Sequence, residues 1–262
     1  IGLIMTTTIA IASGKGGVGK TTISVNLSMC LALQNKETLL LDADLGMANS
    51  HILLGINPKL SLDDFVTGKS SLNEIITTTK DKLKFISGGS AINNLLNLSD
   101  LERHKIIQSF SDIKIAPEYM FIDVGAGAEA SSMTFMASSD KVVIVLTCEP
   151  TSFIDAYSLI KAAFIDYKLT NFGIIINMAV SQSQAKINFN KFQSITQKFL
   201  DVNLKYLGHV SNSQRIRNSI VTRVPLMSKN MKNADTKYFD DISEQLTSLN
   251  ENKTGTIRFF GN

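Results

Sequence analysis

The sequence predicts an α/β fold, a doubly wound and mostly parallel central sheet flanked by helices. Short runs rich in Ile, Val and Leu alternate with longer helical segments, which is the pattern of a parallel sheet covered on both faces. The 262 residues are 44% hydrophobic and 19% charged, which is enough apolar material for a sizeable core. No repeat or Pro/Gly-rich linker divides the chain, so we expect one domain over residues 1–262.

Seven apolar runs are predicted to form strands because they are short and bounded by polar or glycine-containing turns. These strands are Thr8–Ala12, Thr38–Asp42, Leu83–Ser87, Tyr119–Asp123, Lys141–Thr147, Phe172–Asn177 and Tyr206–His209. Five longer segments are predicted to form helices. These helices are Lys20–Leu33, Leu101–Phe110, Ser152–Tyr167, Phe189–Leu200 and Asp235–Leu249.

The composition excludes several classes of protein. The 26 Lys and Arg against 23 Asp and Glu give a net charge of +3, too small a balance to predict a nucleic-acid partner. Cys30 and Cys148 form no C-x-x-C pair, so neither a disulfide scaffold nor a structural zinc site is expected. The densest apolar run, Val142–Leu146, is much shorter than the roughly 18 residues that a membrane span needs. We therefore expect a cytoplasmic protein.

A glycine-rich loop lies between the first predicted strand and the first predicted helix. Residues Gly14 to Thr21 satisfy G-x-x-x-x-G-K-[ST], in which backbone N–H groups surround a phosphate at a helix N-terminus. Lys20 would neutralise the β/γ oxygens of a nucleotide, and the Thr21 hydroxyl would bind Mg²⁺. The expected nucleotide-binding residues here are Gly14, Lys15, Gly16, Gly17, Val18, Gly19, Lys20, Thr21 and Thr22.

Three carboxylates follow other predicted strands. Asp42 and Asp44 end the second strand two residues apart, so strand alternation places both side chains on the same side. The carboxyl ends of parallel strands meet at one edge, where sheets of this type bind nucleotides. Asp123 ends another apolar strand, as the metal-binding Walker B carboxylate of a P-loop protein does. Gly125 and Gly127 come next and would let the backbone respond to a phosphate.

The loop also contains a second lysine, Lys15. The stretch from Gly14 to Thr22 resembles the deviant Walker A motif of the MinD/ParA family of P-loop ATPases. The resemblance implies a homodimer that forms around ATP, with Lys15 reaching the partner's phosphates across the interface. It also implies that Asp44, in switch I, orients the attacking water, and that Asp42 supports the Mg²⁺ shell.

Motif and resemblance together give an expected site for ATP or ADP with Mg²⁺. The expected catalytic residues are Lys15, Lys20 and Asp44. The expected Mg²⁺ ligands are Thr21, Asp42 and Asp123. Asn177, at the end of its strand, would hydrogen-bond the adenine edge by resemblance. Because the Lys-x-Asp of guanine-specific GTPases does not follow Asn177, ATP is favoured over GTP.

Two segments resemble the FlhG/FleN flagellar-number regulators within this family. One runs from Asp42 to Gly55, and the other runs from Glu149 to Lys161 and contains Pro-Thr-Ser-x-x-Asp-Ala-Tyr. The resemblance implies control of flagellar number or placement through the FlhF GTPase, flagellar basal-body (C-ring) proteins or a flagellar transcription regulator. Residues 208–213 lack the Pro and Asp of a Gly-x-Ile-Pro-x-Asp motif that many family members carry, so no base contact is assigned there.

Family members often end in a short amphipathic membrane-targeting helix. We interpret residues 251–262 as a remnant of such a tail, which implies peripheral contact with the inner face of the cell membrane at the cell pole. The predicted helix before it carries an apolar stripe that we assign to the core. Arg215, Arg217 and Arg223 are interpreted as a solvated helix face in preference to a DNA-binding surface.

Other functions of the same scaffold remain as alternatives. A ParA-type partitioning ATPase would bind DNA, and a MinD-type division-site regulator would bind membrane and a division inhibitor. An iron–sulfur carrier would need a cysteine pair, which Cys30 and Cys148 do not supply. A nucleotide-binding scaffold would bind ATP without turnover.

Overall fold

The computed structural model describes residues 5–44, 49–89, 98–228, 233–252 and 257–260. Within these residues the strands are β1 (Thr7–Ala12), β2 (Thr38–Ala43), β3 (Thr77–Thr78), β4 (Lys84–Ile86), β5 (Tyr119–Val124), β6 (Lys141–Thr147), β7 (Asn171–Ala179) and β8 (Asn203–Ser211). They form one sheet in the order β3-β4-β2-β5-β1-β6-β7-β8. Neighbouring strands are parallel except for the antiparallel pair β3–β4.

Helices cover both faces of this sheet. They are α1 (Lys20–Leu33), α2 (Ser50–Leu53), α3 (Leu62–Val66), α4 (Asp100–Ser109), α5 (Ala130–Ala137), α6 (Pro150–Tyr167), α7 (Gln182–Phe199), α8 (Gln214–Thr222) and α9 (Thr236–Thr247). One core lies between the sheet and α1, α8 and α9, and the other lies under α4, α5, α6 and α7. Strand β1 serves both, since Ile9 and Ile11 enter the first core and Ala10 and Ala12 the second. This double cover confirms the predicted doubly wound, mostly parallel sheet.

Some predicted boundaries agree with the structure and others do not. Helix α1 and strand β6 begin and end where the sequence predicts. Strand β8 extends beyond the predicted Tyr206–His209 at both ends. Helix α7 begins at Gln182 instead of Phe189, because the Ser181 side chain accepts the N–H of Gln184 and caps a polar first turn that has no apolar stripe to reveal it.

The topology brings the predicted polar residues to one edge of the sheet. Strands β1, β2, β5, β6 and β7 are parallel neighbours, so their carboxyl ends lie side by side. Asp42 of β2 and Asp123 of β5 are register partners on adjacent strands. The glycine loop after β1 and Asn177 of β7 lie at the same edge.

The described part of the predicted tail packs against the body of the protein. Phe259 is fully buried, with its ring centroid 5.2 Å from Phe110 and 6.0 Å from Phe135. Arg258 forms an ion pair with Asp140 at 2.7 Å. Residues 253–256 and 261–262 of the predicted tail lie outside the described residues. Among the helices that the structure describes, none has the length and apolar character needed to cross a bilayer.

We expect Phe259→Ala to lower the free energy of unfolding by about 3 kcal/mol, because it removes a large buried aromatic side chain and leaves a cavity. Phe199→Ala is the matched control, since Phe199 is 65% exposed, and its effect should stay within about 0.5 kcal/mol. Urea denaturation followed by circular dichroism measures both. Equal effects of the two variants would show that the C-terminal segment does not contribute to the folded core.

Candidate nucleotide-binding site

The glycine loop encloses an open space above the N-terminus of α1. Gly17 and Gly19 adopt left-handed backbone conformations, with φ of 81° and 85°, which glycine accepts without strain. A Cβ added at Gly16 or Gly17 would meet nothing within 4 Å, whereas one at Gly14 would lie 2.1 Å from the backbone of Asp155 in α6. The loop therefore packs against α6 on one side and leaves room on the other. Backbone N–H groups at the start of α1 make that space suitable for a phosphate.

A cavity of about 750 Å³ continues from this loop along the edge of the sheet. Of the predicted site residues, its lining includes Lys15, Gly16, Gly17, Gly19, Lys20, Thr21, Thr22, Asp44 and Asn177. Asp42 and Asp123 are completely buried behind this surface, and Gly14 and Val18 are not part of the lining. Most of the predicted site residues therefore form an outer layer that lines the cavity, and Asp42 and Asp123 form an inner, buried layer behind it.

Lys20 is buried against a carboxylate of the inner layer. Its Nζ donates to Asp123 Oδ1 at 2.6 Å and lies 3.9 Å from Asp44 Oδ2. The Ser24 hydroxyl, one helical turn after Lys20, donates to the same Asp123 oxygen at 2.9 Å. The motif did not predict Ser24, although its position four residues after the lysine places it on the same helix face.

Asp42 is held by the start of α2. Its carboxylate accepts the N–H of Ser50 at 2.9 Å and that of Asp44 at 3.3 Å, while the Ser50 hydroxyl donates to Asp123 at 3.3 Å. Burial, reinforced by the neighbouring charge of Asp123, raises the pKa of Asp42 to about 7. The Ser50 N–H and the Lys20 ammonium oppose this shift. Residues 45–48, which belong to the segment resembling switch I, lie outside the described residues.

The second loop lysine contacts the beginning of α6. Lys15 Nζ donates to Glu149 Oε2 at 2.9 Å and to the Thr151 hydroxyl at 3.0 Å. The sequence distinguished this segment by its Pro-Thr-Ser pattern but did not predict that it would bind Lys15. The ion pair is partly exposed, with the Lys15 side chain 30% and the Glu149 side chain 66% accessible, so it is only weakly stabilising.

Asn177, near the end of β7, holds the glycine loop in place. Its Nδ2 donates to the carbonyl of Val18 at 2.8 Å, and a Cβ at Gly19 would lie 2.3 Å from that nitrogen. Met178 follows with a φ of 56° and is 43% exposed. It lies on the cavity wall beside the asparagine.

Helix α8 forms the wall that the sequence did not assign. Ile216, Arg217 and Ile220 line the cavity, and Arg217 donates to Asn212 Oδ1 at 2.7 Å. Apolar side chains on a cavity wall suit a flat heterocyclic base. Arg217 is therefore part of the cavity, and only Arg215, which lies 3.6 Å from Asp235, and Arg223 remain outside the lining.

These residues fit a nucleotide with Mg²⁺. Thr21 and the two buried carboxylates are oxygen ligands, which Mg²⁺ prefers, and Mg²⁺ is usually held by one or two carboxylates together with substrate phosphates. The glycines of the loop supply the backbone cradle for those phosphates.

Comparison with known proteins identifies the family. A sequence model of the ParA family, described as an NUBPL iron-transfer P-loop NTPase, matches residues 4–247. The antiactivator FleN of Pseudomonas aeruginosa is 34% identical over 254 residues, which cover 96% of this chain and 91% of FleN. The chain belongs to the MinD/ParA family of P-loop ATPases. The flagellum site-determining protein YlxH of Helicobacter pylori is 30% identical over 249 residues, 95% of this chain and 83% of YlxH.

Solved structures of MinD/ParA proteins share the fold. MinD of Pyrococcus furiosus superposes with a TM-score of 0.75 at 25% identity and covers 93% of this chain and 99% of its own. MinD of Pyrococcus horikoshii, solved in complex with Mg-ADP, superposes with a TM-score of 0.73 at 25% identity and covers 92% of this chain and 96% of its own. The matches confirm the resemblance to MinD/ParA ATPases and to FleN/FlhG, and with it the prediction of an ATPase.

The raised pKa of Asp42 predicts how stability depends on pH. The folded protein retains the Asp42 proton up to about pH 7, whereas the unfolded chain releases it near the ordinary value of 3.8. The folded state therefore binds more protons between these values, and stability falls as pH rises through this window.

We expect Asp42→Asn to remove this pH-dependent loss of stability. Between pH 5 and pH 8 the free energy of unfolding of the variant should therefore rise by at least about 1 kcal/mol relative to that of the native chain. Chemical denaturation of both proteins across that range, without Mg²⁺ or nucleotide, measures it. Lys36→Gln, at an exposed ion pair with Glu118, is the control and should show the native pH profile. Parallel profiles for the native chain and Asp42→Asn would contradict the assignment.

Proposed function

We propose that this ATPase is a switch: it binds Mg-ATP in the cavity, dimerises around the nucleotide, hydrolyses it slowly, and thereby controls flagellar number or placement. The observation that carries the proposal is that the two loop lysines differ in position and burial. Lys20 is buried beside Asp123, whereas Lys15 lies at the partly exposed rim of the same loop. One cation therefore serves its own site, and the other is accessible to a second copy of the chain.

The chain's own residues would divide the work of hydrolysis as follows. The loop amides and Lys20 bind the phosphates, and Thr21, Asp42 and Asp123 hold Mg²⁺. Mg²⁺ neutralises phosphate charge and orients the reacting oxygens when bound. Asp44 lines the cavity, unlike the other two carboxylates, and we assign it the positioning of the attacking water.

The base would lie between the β7 end and α8. Asn177 already donates its amide to Val18, so its carbonyl oxygen is the group assigned to the adenine edge. Met178 on one side and Ile216 and Ile220 on the other supply apolar contact. ATP is the proposed nucleotide.

The flagellar role rests on the relatives. The names of FleN, an antiactivator, and of YlxH, a flagellum site-determining protein, support it over nearly the whole chain. The proposed partners are a flagellar transcription regulator, the FlhF GTPase or basal-body C-ring proteins. We propose a cytoplasmic protein with peripheral contact at the inner face of the cell membrane.

Iron transfer, which the family description names, is not supported by the cysteines of this chain. The sequence contains two cysteines. Cys30 is buried in α1 beside Asp240, and burial raises its pKa to about 12, which opposes the thiolate that a metal needs. Cys148 lies after β6 and contacts Gln184, so the two do not form a ligand pair.

Lys15→Ala tests dimerisation. We expect the variant to bind ATP within about threefold of the native affinity, because the loop amides and Lys20 remain, but to lose at least about 90% of its ATP-dependent dimers. Calorimetry and analytical ultracentrifugation measure the two properties. Lys36→Ala, whose ion pair with Glu118 lies away from the cavity, is the control for loss of a lysine. Normal dimers of Lys15→Ala with ATP would rule out its action across the interface.

Asp44→Ala tests the switch. We expect turnover to fall by about tenfold to a thousandfold, because a positioning group is lost, while ATP affinity is retained. The variant should then accumulate as an ATP-bound dimer. Phosphate release and sedimentation of the same sample measure this, with Asp166→Ala, an exposed residue near the end of α6, as a carboxylate control outside the cavity lining. Native turnover, or an ATP-bound monomer, would remove Asp44 from the mechanism.

A further inference from the structure

The outward face of α7 combines apolar and cationic side chains. Ile187, Lys191, Ile195 and Phe199 follow one another at intervals of four residues, so they form a single row about 18 Å long. The three apolar members are 52%, 54% and 65% exposed. We call these four residues the α7 row.

The charged residues of α7 itself all have one sign. The helix contains Lys186, Lys191 and Lys198, all exposed, and no Asp or Glu between Gln182 and Phe199. None of these lysines forms an ion pair with another part of the chain that the structure describes. Lys198 Nζ lies 5.6 Å from the centre of the Phe199 ring.

The opposite face of α7 fixes the row in place. Phe189 packs against Tyr206 at 5.2 Å between ring centroids, and Phe192 packs against Phe153 at 5.6 Å. The α7 row is therefore the outer surface of a helix that the core already anchors, and it cannot turn inward without breaking these contacts.

We propose that the α7 row binds the anionic headgroup layer of a lipid bilayer. A protein interface concentrates apolar side chains at its centre and excludes lysine from that centre. Here Lys191 stands between Ile187 and Ile195, so a rigid partner would have to bury an ammonium group among apolar contacts. A lipid surface imposes no such cost, because isoleucine and phenylalanine enter the acyl boundary while lysine extends to the headgroups.

The α7 row would be the surface, and anionic lipids the lipid class, of the membrane contact in the proposed function. The inference rests on that contact. Each lysine near an anionic surface contributes roughly fivefold to affinity, and the apolar side chains add to it. A single copy would bind weakly and reversibly, and a dimer with two such rows would bind more tightly through avidity.

The test compares two double variants of the full chain with the same chemistry. Lys191→Gln with Ile195→Ser removes one charge and one exposed apolar side chain, four residues apart, from the α7 row. Leu101→Ser with Lys105→Gln makes the matching change on α4, where Leu101 is 64% exposed and acidic residues are close by. Both sites are exposed, so both variants should fold.

Co-sedimentation uses vesicles of phosphatidylcholine with or without phosphatidylglycerol. We expect the native chain to prefer the anionic vesicles, the α7 variant to lose about tenfold or more in affinity, and the α4 variant to stay within about twofold. High salt should weaken native binding. Equal losses in both variants, or no preference for anionic vesicles, would overturn the proposal.

ATP turnover and ATP-dependent dimerisation are measured on the same samples. Neither double variant touches the nucleotide cavity, so both should retain these activities. Normal turnover and dimers without lipid binding would refute the α7 proposal and the membrane contact, and would leave the ATP-dependent switch standing. Absence of turnover and dimers in the native chain would refute the proposed function, whatever the vesicles show.

Discussion

The contact between Lys20 and Asp123 is the interaction on which the arrangement of this site depends. Both side chains are buried, and an unpaired charge at either position would be strongly destabilising. The parallel pairing of β2 and β5 then places a second buried carboxylate, Asp42, in register with Asp123. Two adjacent carboxylates with one ammonium cannot be balanced by that ammonium alone. The neutral donors Ser24 and Ser50 also hydrogen-bond these carboxylates, and the pKa of Asp42 is raised.

This charge balance explains why the site forms where strands, loop and helices converge. The donors come from two elements: the lysine and one serine from α1, and the other serine from α2. Because Asp42 and Asp123 lie in the centre of a sheet, their positions are fixed by strand pairing, while α2 follows the segment that resembles a switch. A change at that segment would alter the hydrogen bonds of both carboxylates at once. Such coupling is what a protein that responds to a bound phosphate requires.

The sequence predicted the features that depend on local pattern. The strand–loop–helix context of Gly14 to Thr21 and the aspartates at strand ends required only spacing and the rule that parallel strands share an edge. It did not predict contacts between distant segments, such as the Ser50 hydroxyl on Asp123 or Glu149 on Lys15. The wall formed by α8 was missed for a related reason: residues 208–213 lack the expected motif, so only the folded chain shows that Ile216 and Arg217 reach the cavity.

The glycine loop is also joined to α6, and this connection bears on how a switch would work. Gly14 approaches the backbone of Asp155 so closely that no side chain fits between them, and Lys15 binds the first turn of the same helix. The first contact is steric and fixes the loop against α6. The second is a partly exposed ion pair whose stabilisation is small, so the Lys15 ammonium can exchange its partner at little cost. A loop that stays in place while its outer lysine changes partner allows a second copy to be recognised without disturbing the phosphate cradle. The weakness of the Lys15–Glu149 pair thus suits the proposed switch, whereas Lys20 stays buried beside Asp123 within its own site.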